Sequence, residues 1–112
     1  SALQSNTTGR SNVAVGQQSL QQNTTGISNT AIGFEALRQN TASNNTAVGF
    51  ESLKANTTGT PNTAFGMCSL HVNTTGADNV AIGYRALKLN RINEYITSIF
   101  LFTTRAAIQV YW

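Results

Sequence analysis

Two glutamates of this 112-residue chain have the spacing of a catalytic pair. Glu35 and Glu51 each end the motif Gly-Phe-Glu, and in stacked repeats their carboxylates would lie ~5 Å apart. Retaining glycosidases use two carboxyl groups at about this separation. Arg38 and Lys54 follow three residues after these acids and would neutralise them. A row on a repetitive surface also offers no desolvated pocket, so we expect no catalysis.

Cys68 and His71 are the only cysteine and the only histidine of the chain, and both residue types bind metals. Zinc usually takes four protein ligands, or three and a water molecule. Three copies of His71 could meet on the axis of a trimer, but its position directly after a leucine favours the periphery. One histidine allows no credible Ser-His-Asp arrangement, and one cysteine forms no disulfide within the chain. We therefore expect no enzyme, no metal and no cofactor.

A tandem repeat carries all of these residues. The tetrapeptide Asn-Thr-Thr-Gly begins at residues 6, 23, 56 and 73, and a block of the form Asn-x-Ala-x-Gly occurs in all five units, including the third, which lacks the tetrapeptide. Five units occupy residues 6–22, 23–39, 40–55, 56–72 and 73–89, and the third is one residue shorter than the others. A short fixed period indicates a stack in which each unit buries its apolar face against its neighbours. We predict one repeat domain over residues 1–90.

Large and small residues alternate in each unit, which is a strand pattern. Thr30, Ile32 and Phe34 share one face, whereas Ala31 and Gly33 share the other. Glycine after the strand permits a tight corner, and the frequent glycines and asparagines leave no stretch for an amphipathic helix. A 17-residue unit is long enough for two short strands and two corners. We therefore predict an all-β, parallel β-solenoid of about five coils stacked ~4.8 Å apart.

Equivalent positions of the stacked units form columns. Two bulky apolar columns are expected to fill the coil interior: Val15, Ile32, Val48, Phe65 and Ile82, and Leu20, Leu37, Leu53, Leu70 and Leu87. A third column is alanine throughout: Ala14, Ala31, Ala47, Ala64 and Ala81. A face kept small in every coil suggests close packing of a neighbouring chain, and thin cores usually need oligomerisation. We therefore predict a homotrimer packed along the alanine column, with the asparagine columns forming ladders between coils.

The segment Ser-Asn-Val-Ala-Val-Gly-Gln-Gln-Ser at residues 11–19 resembles the Asn-Ser-Val-Ala-Ile-Gly-x-x-Ser signature of YadA-type heads of trimeric autotransporter adhesins. The longer pattern Asn-Thr-Thr-Gly…Asn-Thr-Ala-Ile-Gly…Ala-Leu resembles repeats of phage tail-fibre proteins and of surface proteins of large algal viruses. The resemblance covers about residues 1–90. It implies a left-handed parallel β-roll packed as a trimer, an extracellular place on a virion or cell surface, and a part in host attachment. The unit is longer than the usual adhesin-head coil, which implies one larger corner loop.

Two surface columns could bind a receptor. A mildly basic column follows the leucines and contains Arg38, Lys54, His71 and Lys88. It could contact acidic host glycans, although such rows are usually only a solvated face. An adjacent aromatic column could hold sugar rings, but Phe34 and Phe50 share a strand face with the expected core, which favours packing. A net charge of +3 is not a nucleic-acid signature.

The pattern Asn-x-Thr recurs along the repeat and has two interpretations. It begins at Asn6, Asn23, Asn44, Asn56 and Asn73 and is the acceptor pattern for N-linked glycans. Asparagine and threonine also bond to nearby backbone at corners, and the recurrence at the same corner favours this second interpretation.

Residues 91–112 break the repeat, contain no glycine and are rich in Ile, Phe, Tyr and Thr. Their spacing is compatible with a helix or with strands, and we predict a cap or trimer clasp; a non-native tail is the alternative. The chain starts inside a repeat, so we expect a piece of a longer protein. No apolar run approaches the ~18 residues that would cross a bilayer, so we expect no membrane insertion by this piece.

Together, these patterns predict a structural, adhesive segment of a trimeric surface fibre. The alternative is an ice-binding solenoid that presents a threonine-rich face. The threonine pairs are adjacent in sequence, however, and in a strand they would point to opposite sides.

Overall fold

The computed structural model describes residues 1–89 and the backbone of residues 99–100. These residues form short strands and no helix. The strands are β1 (Val13–Val15), β2 (Thr30–Ile32), β3 (Thr46–Val48), β4 (Asn62–Phe65), β5 (Asn79–Ile82) and β6 (Ile99–Phe100). They pair in parallel in chain order in one sheet. The chain is therefore an all-β solenoid with about four turns between β1 and β5, as the repeat predicts.

The strand register stacks equivalent repeat positions on each other. Ala31 pairs with Ala14 on one side and with Ala47 on the other, and Ala64 continues the row to Ala81. The short third unit keeps this register, because its missing residue is taken from the corner before β3 and not from the strand.

The leucine side of each coil is made of tight turns, and the prediction of a second strand there is wrong. In the second unit the amide of Ala36 donates to the carbonyl of Gly33, that of Arg38 to Glu35, and that of Asn40 to Leu37. Glu35 and Leu37 have φ of 55° and 52°, at the third position of their turns, where a type II turn requires positive φ. Amides on this side also bond between coils, as Leu37 does to the carbonyl of Ser52 at 3.0 Å. Because successive turns bring the chain around, no extended segment is needed.

The corner after each strand depends on glycine. Gly49 has φ of 132°, and a Cβ atom there would lie 2.6 Å from the carbonyl carbon of Gly66 in the next coil. The absence of a side chain at this position therefore lets the coils approach to strand-pairing distance.

The core consists of the leucine column and the alanine column. Leu20, Leu37, Leu53 and Leu70 are 0% exposed, and so are Ala31, Ala47, Ala64 and Ala81. Leu87 is buried at the end of the row, and Ala14 is partly buried at the start. The leucines from the turn side fill the thin interior, so the facing strand has room only for a methyl group.

Two predictions about the columns are therefore wrong. The alanine column faces the interior of its own chain and cannot be the surface that a neighbour packs on. The bulky strand column was expected inside but points outward: Val15 is 56% exposed and Phe65 is 55% exposed, Ile32 is exposed, and Val48 and Ile82 are half-buried. Alternation divides a strand into two faces without saying which one is inside, and the leucines on the opposite wall decide it.

Two ladders of buried asparagines join the coils, as predicted. In one, side-chain nitrogens donate to the side-chain oxygen of the previous coil everywhere except at Asn40, for example from Asn56 to Asn40 at 2.8 Å and from Asn73 to Asn56 at 2.9 Å. In the other, each side-chain oxygen accepts from the backbone N–H of the next coil, from Asn12 to Asn29 and onward to Asn79. These bonds satisfy polar groups that a two-walled apolar core could not.

The predicted cap or clasp of residues 91–112 lies outside the described residues, except for the backbone of β6, which pairs with β5. The described part of the chain holds no helix long enough and apolar enough to cross a membrane.

Candidate functional site

An apolar surface runs along the outside of the strands. We call it the outer apolar face, and it consists of the outward strand residues and the residues after the corner glycine: Val13, Val15, Ile32, Val48, Phe65, Ile82, Phe34, Phe50, Met67 and Tyr84. The parallel register aligns the outward residues at the ends of the strands from coil to coil, with Val48 next to Ile32 and Phe65 next to Val48. A contiguous exposed apolar surface of this kind usually marks an interaction site.

The aromatic column belongs to this face. Phe34 and Phe50 are both exposed, and their rings stack with centroids 5.2 Å apart and an interplanar angle of 13°. The prediction that they pack in the core is therefore wrong, for the same reason as for Ile32, whose side of the strand they continue. Tyr84 lies further along the column, with the guanidinium of Arg85 5.1 Å from its ring centre.

A charged ladder lies beside the leucine turns and consists of Glu35, Arg38, Glu51, Lys54 and His71. The ammonium of Lys54 lies 2.6 Å from Glu35 and 3.3 Å from Glu51, so it bridges the acids of two coils. Arg38 lies 3.5 Å from Glu35, and Nε2 of His71 lies 2.8 Å from Glu51. Basic and acidic side chains therefore alternate along the stack, and the pairing of Arg38 with Glu35 and of Lys54 with Glu51 that their three-residue spacing predicts is confirmed.

This ladder shifts the ionisation of two of its members. Burial by itself would raise the pKa of Glu51, but hydrogen bonds from His71 and Lys54, with their charges, outweigh it and lower that pKa. The hydrogen bond to Glu35 raises the pKa of Lys54 against the opposing effect of burial, and Glu51 adds to the rise. Both shifts favour the charged forms, so Glu51 and Lys54 are held as a charged pair.

The basic column therefore does not form a stripe of unpaired positive charge. Arg38, Lys54 and His71 each contact a glutamate, and only Lys88 has no acid within ion-pair distance among the residues that the structure describes. A surface of alternating charge binds polyanions more weakly than a uniformly basic one.

The structure brings Glu51 close to Cys68 and His71, the two metal-binding side chains that the sequence offers without it. Glu51, Cys68 and His71 each place one metal-ligating atom within 4.8 Å of those of the other two. The signal was present in the sequence, because Cys68 occupies the column of Glu51 one coil later and His71 that of Lys54, and these columns lie three residues apart.

The threonines of the Asn-Thr-Thr-Gly motif lie in corners, outside the strands. The hydroxyls of Thr7, Thr41 and Thr57 donate to backbone carbonyls of the next coil, at 3.0 to 3.1 Å. Hydroxyls used in this way are committed to the stack, so nothing here favours the ice-binding alternative.

Most Asn-x-Thr asparagines take part in turn chemistry. Asn23, Asn56 and Asn73 are buried, and their side-chain nitrogens donate to the carbonyl of the glycine three residues later. A glycan attached to that nitrogen would break these bonds. Asn44 is exposed and does not belong to either ladder.

Comparison of the chain with protein-family models, with curated proteins and with solved structures finds no match. The resemblance to trimeric adhesin heads and viral fibre repeats therefore depends on the repeat motifs alone, and the left-handed sense and the trimeric state stay predictions.

Proposed function

We propose that this chain is a structural segment of a surface fibre, which associates as a homotrimer through the outer apolar face and serves in attachment to a host or cell surface. The observation that supports the proposal is the exposure of this face. Val15 and Phe65 each leave more than half of their surface in water. Burying such side chains is worth roughly 1.5–3 kcal/mol each, so a repeated row provides a substantial driving force for association.

The shape of the face favours partners that share the same repeat. The outward residues recur once per coil in strict register, so an identical chain lying alongside presents apolar groups at the same ~4.8 Å interval. The strands are only three or four residues long, so the face is narrow, roughly 10–13 Å across. A narrow ridge suits packing around a common axis, and the resemblance to trimeric heads sets the expected number of chains at three.

The proposed trimer differs from the one expected from sequence in the surface that it uses. The alanine column belongs to the core of each chain, so the contact must use the opposite face of the same strands. The asparagine ladders and the charged ladder then remain with each chain, where they stiffen the rod.

The mass of the protein in solution tests the association. We expect sedimentation equilibrium to give three times the chain mass of 11.9 kDa at micromolar concentration. Phe65→Glu should give the mass of one chain with an unchanged far-ultraviolet circular dichroism spectrum, because it places a charge on the outer apolar face without touching the core. Thr25→Glu, an exposed corner position, is the control and should stay trimeric. A monomeric wild type, or a trimeric Phe65→Glu, would contradict the proposed interface.

The same variants test attachment. A glycan array probed with the wild type should show binding that Phe65→Glu loses, because a trimer presents each weak site three times. Equal binding by the monomeric variant would separate attachment from assembly, and the absence of any binding to glycans or host cells would reject the adhesive role.

A further inference from the structure

The cluster of Glu51, Cys68 and His71 has the composition of a metal site. Its three ligand atoms lie within 4.8 Å of one another and supply one sulfur, one nitrogen and one oxygen. Cys68 is only 6% exposed, and it is the single cysteine of the chain. Glu51 belongs to the third repeat unit and the other two residues belong to the fourth, so the cluster crosses from one coil to the next.

His71 provides an independent observation. Its Nε2 atom lies 2.8 Å from Oε2 of Glu51, whereas its Nδ1 atom is buried and has no hydrogen-bond partner among the described residues. The ring therefore presents Nε2 to Glu51, and an ion shared by the two side chains would bind Nε2 in place of this hydrogen bond. Nδ1 then carries the N–H of the neutral imidazole, the form in which histidine binds metals.

We propose that Glu51, Cys68 and His71 bind one Zn²⁺ ion per chain, with a water molecule as the fourth ligand. Zinc accepts cysteine sulfur, histidine nitrogen and carboxylate oxygen, and three protein ligands with one water is a common arrangement. On binding, the thiol of Cys68 forms an S–Zn bond and releases its proton to solvent. The thiolate and the carboxylate then balance the two positive charges of the ion, which suits a half-buried position.

The required adjustment is small. Zn–ligand bonds of about 2.0–2.3 Å at tetrahedral angles put neighbouring ligand atoms roughly 3.3–3.7 Å apart. The present separations of up to 4.8 Å exceed this by roughly 1–1.5 Å, a distance that side-chain torsions can supply without moving the strands.

The neighbouring charges support the carboxylate. Lys54 lies 3.3 Å from Oε1 of Glu51, the oxygen that does not contact His71, and Glu35 lies 2.6 Å from the same ammonium. Such partners orient a ligating carboxylate, and their loss usually weakens metal binding 10- to 100-fold. The ion would connect the third coil to the fourth, whether or not the chain forms a trimer.

Titration of the reduced, full-length chain with metal alone tests this site. We expect isothermal calorimetry with Zn²⁺ to give one ion per chain, and Co²⁺ to develop the absorption of a thiolate–metal bond. Cys68→Ser and His71→Gln should each weaken Zn²⁺ binding more than about 100-fold, since the loss of a ligand exceeds the loss of an outer partner. Asp78→Asn is the control, because it changes an exposed acid of a corner that belongs neither to the cluster nor to the charged ladder, and it should retain the Co²⁺ thiolate band.

Circular dichroism selects the variants that keep the wild-type fold, and either ligand variant that does so is sufficient for the test. The absence of Zn²⁺ binding by the wild type would overturn the proposal. So would undiminished binding by a folded Cys68→Ser or His71→Gln chain. A stoichiometry of one ion per three chains would also overturn it, because that result indicates a site on a symmetry axis.

Discussion

At the scale of the residue, the buried asparagines are the most specific side chains of the molecule. Asn56 donates to Asn40 at 2.8 Å and to the carbonyl of Gly59 at 3.0 Å, and its oxygen accepts from Asn73 at 2.9 Å. One side chain therefore closes its own corner and joins its coil to both neighbours. A hydrophobic residue of the same size would remove these three buried hydrogen bonds, although each partner keeps another one, from Asn45 to Asn40 and Gly59, and from Asn73 to Gly76.

We expect Asn56→Ala to destabilise the fold by about 2–4 kcal/mol, because it removes three buried hydrogen bonds that contribute about 0.5–1.5 kcal/mol each. Asn6→Ala is the matched control in the first coil, where the residue is only partly buried and joins one neighbour, and it should cost less. Urea unfolding at a fixed protein concentration measures both. Equal losses for the two variants would show that the ladder adds nothing beyond the local turn.

The asparagine columns could be read from the sequence, because identical residues in consecutive rungs of a parallel stack are bound to meet. The break in the ladder that contains Asn23 and Asn40 could not be predicted from the sequence. Asn23 has a buried side-chain oxygen without a hydrogen-bond partner in the described chain, at the junction with the short third unit. There Asn40 donates to the carbonyl of Ala42, two residues later, and not to Asn23. The altered corner redirects the amide, which only coordinates can reveal.

At the scale of the element, each coil combines one strand with a run of turns around a leucine. Leucine with positive φ is costly, by about 1–2 kcal/mol relative to ordinary backbone. Leu53 nevertheless has φ of 52° and is completely buried. Leucine is favoured at this position because its side chain fills the interior of the coil, and the free energy gained by burying it exceeds the cost of the backbone strain.

We expect Leu53→Ala to cost about 2–5 kcal/mol, because the rigid neighbouring coils cannot collapse into the cavity. Leu89→Ala makes the same change at a residue that is 64% exposed, so it should alter stability by less than about 0.5 kcal/mol. Thermal or urea unfolding compares the two. A Leu53→Ala chain as stable as Leu89→Ala would mean that the leucine column is not the core.

The sequence predicts one strand of each coil, the parallel order and the leucines correctly, since these follow from the period and from the size of the side chains, but the second strand that it suggests is a run of turns. It assigned the wrong strand face to the interior. Ile32 and Ala31 are adjacent and differ in size, and the usual preference for bulky residues inside pointed to Ile32. The deciding quantity is the width of the coil, which the leucine turns set from the opposite wall. The same error hid the outer apolar face and placed the trimer contact on the alanines.

At the scale of the whole molecule, the protein is a one-dimensional stack in which each coil contacts its neighbours. Stability in such a stack is approximately a sum over coils and their interfaces. A whole coil can therefore be removed from the chain without loss of the fold, which an ordinary globular domain would not allow.

Deletion of residues 40–55 joins Gln39 to Asn56 and should leave a folded protein that is one coil shorter. Asn56 then takes the place of Asn40 in its ladder, and every column stays in register. Deletion of residues 48–55, half of a unit, should instead prevent folding, because it removes Leu53 and puts the following columns out of register. Circular dichroism and the cooperativity of thermal unfolding distinguish the two, and a whole-coil deletion that unfolds the chain would contradict the nearest-neighbour description.

The asparagine ladder also gives the rod an electrical polarity. On either side of the break between Asn23 and Asn40, the side-chain amides donate toward the first coil, as Asn23 does to Asn6 at 3.0 Å and Asn73 does to Asn56 at 2.9 Å. The amide dipoles within each unbroken stretch therefore add head to tail, as peptide dipoles do in an α-helix. The end near the first coil carries the partial positive charge and the end near the last coil the negative, although every residue in the column is neutral.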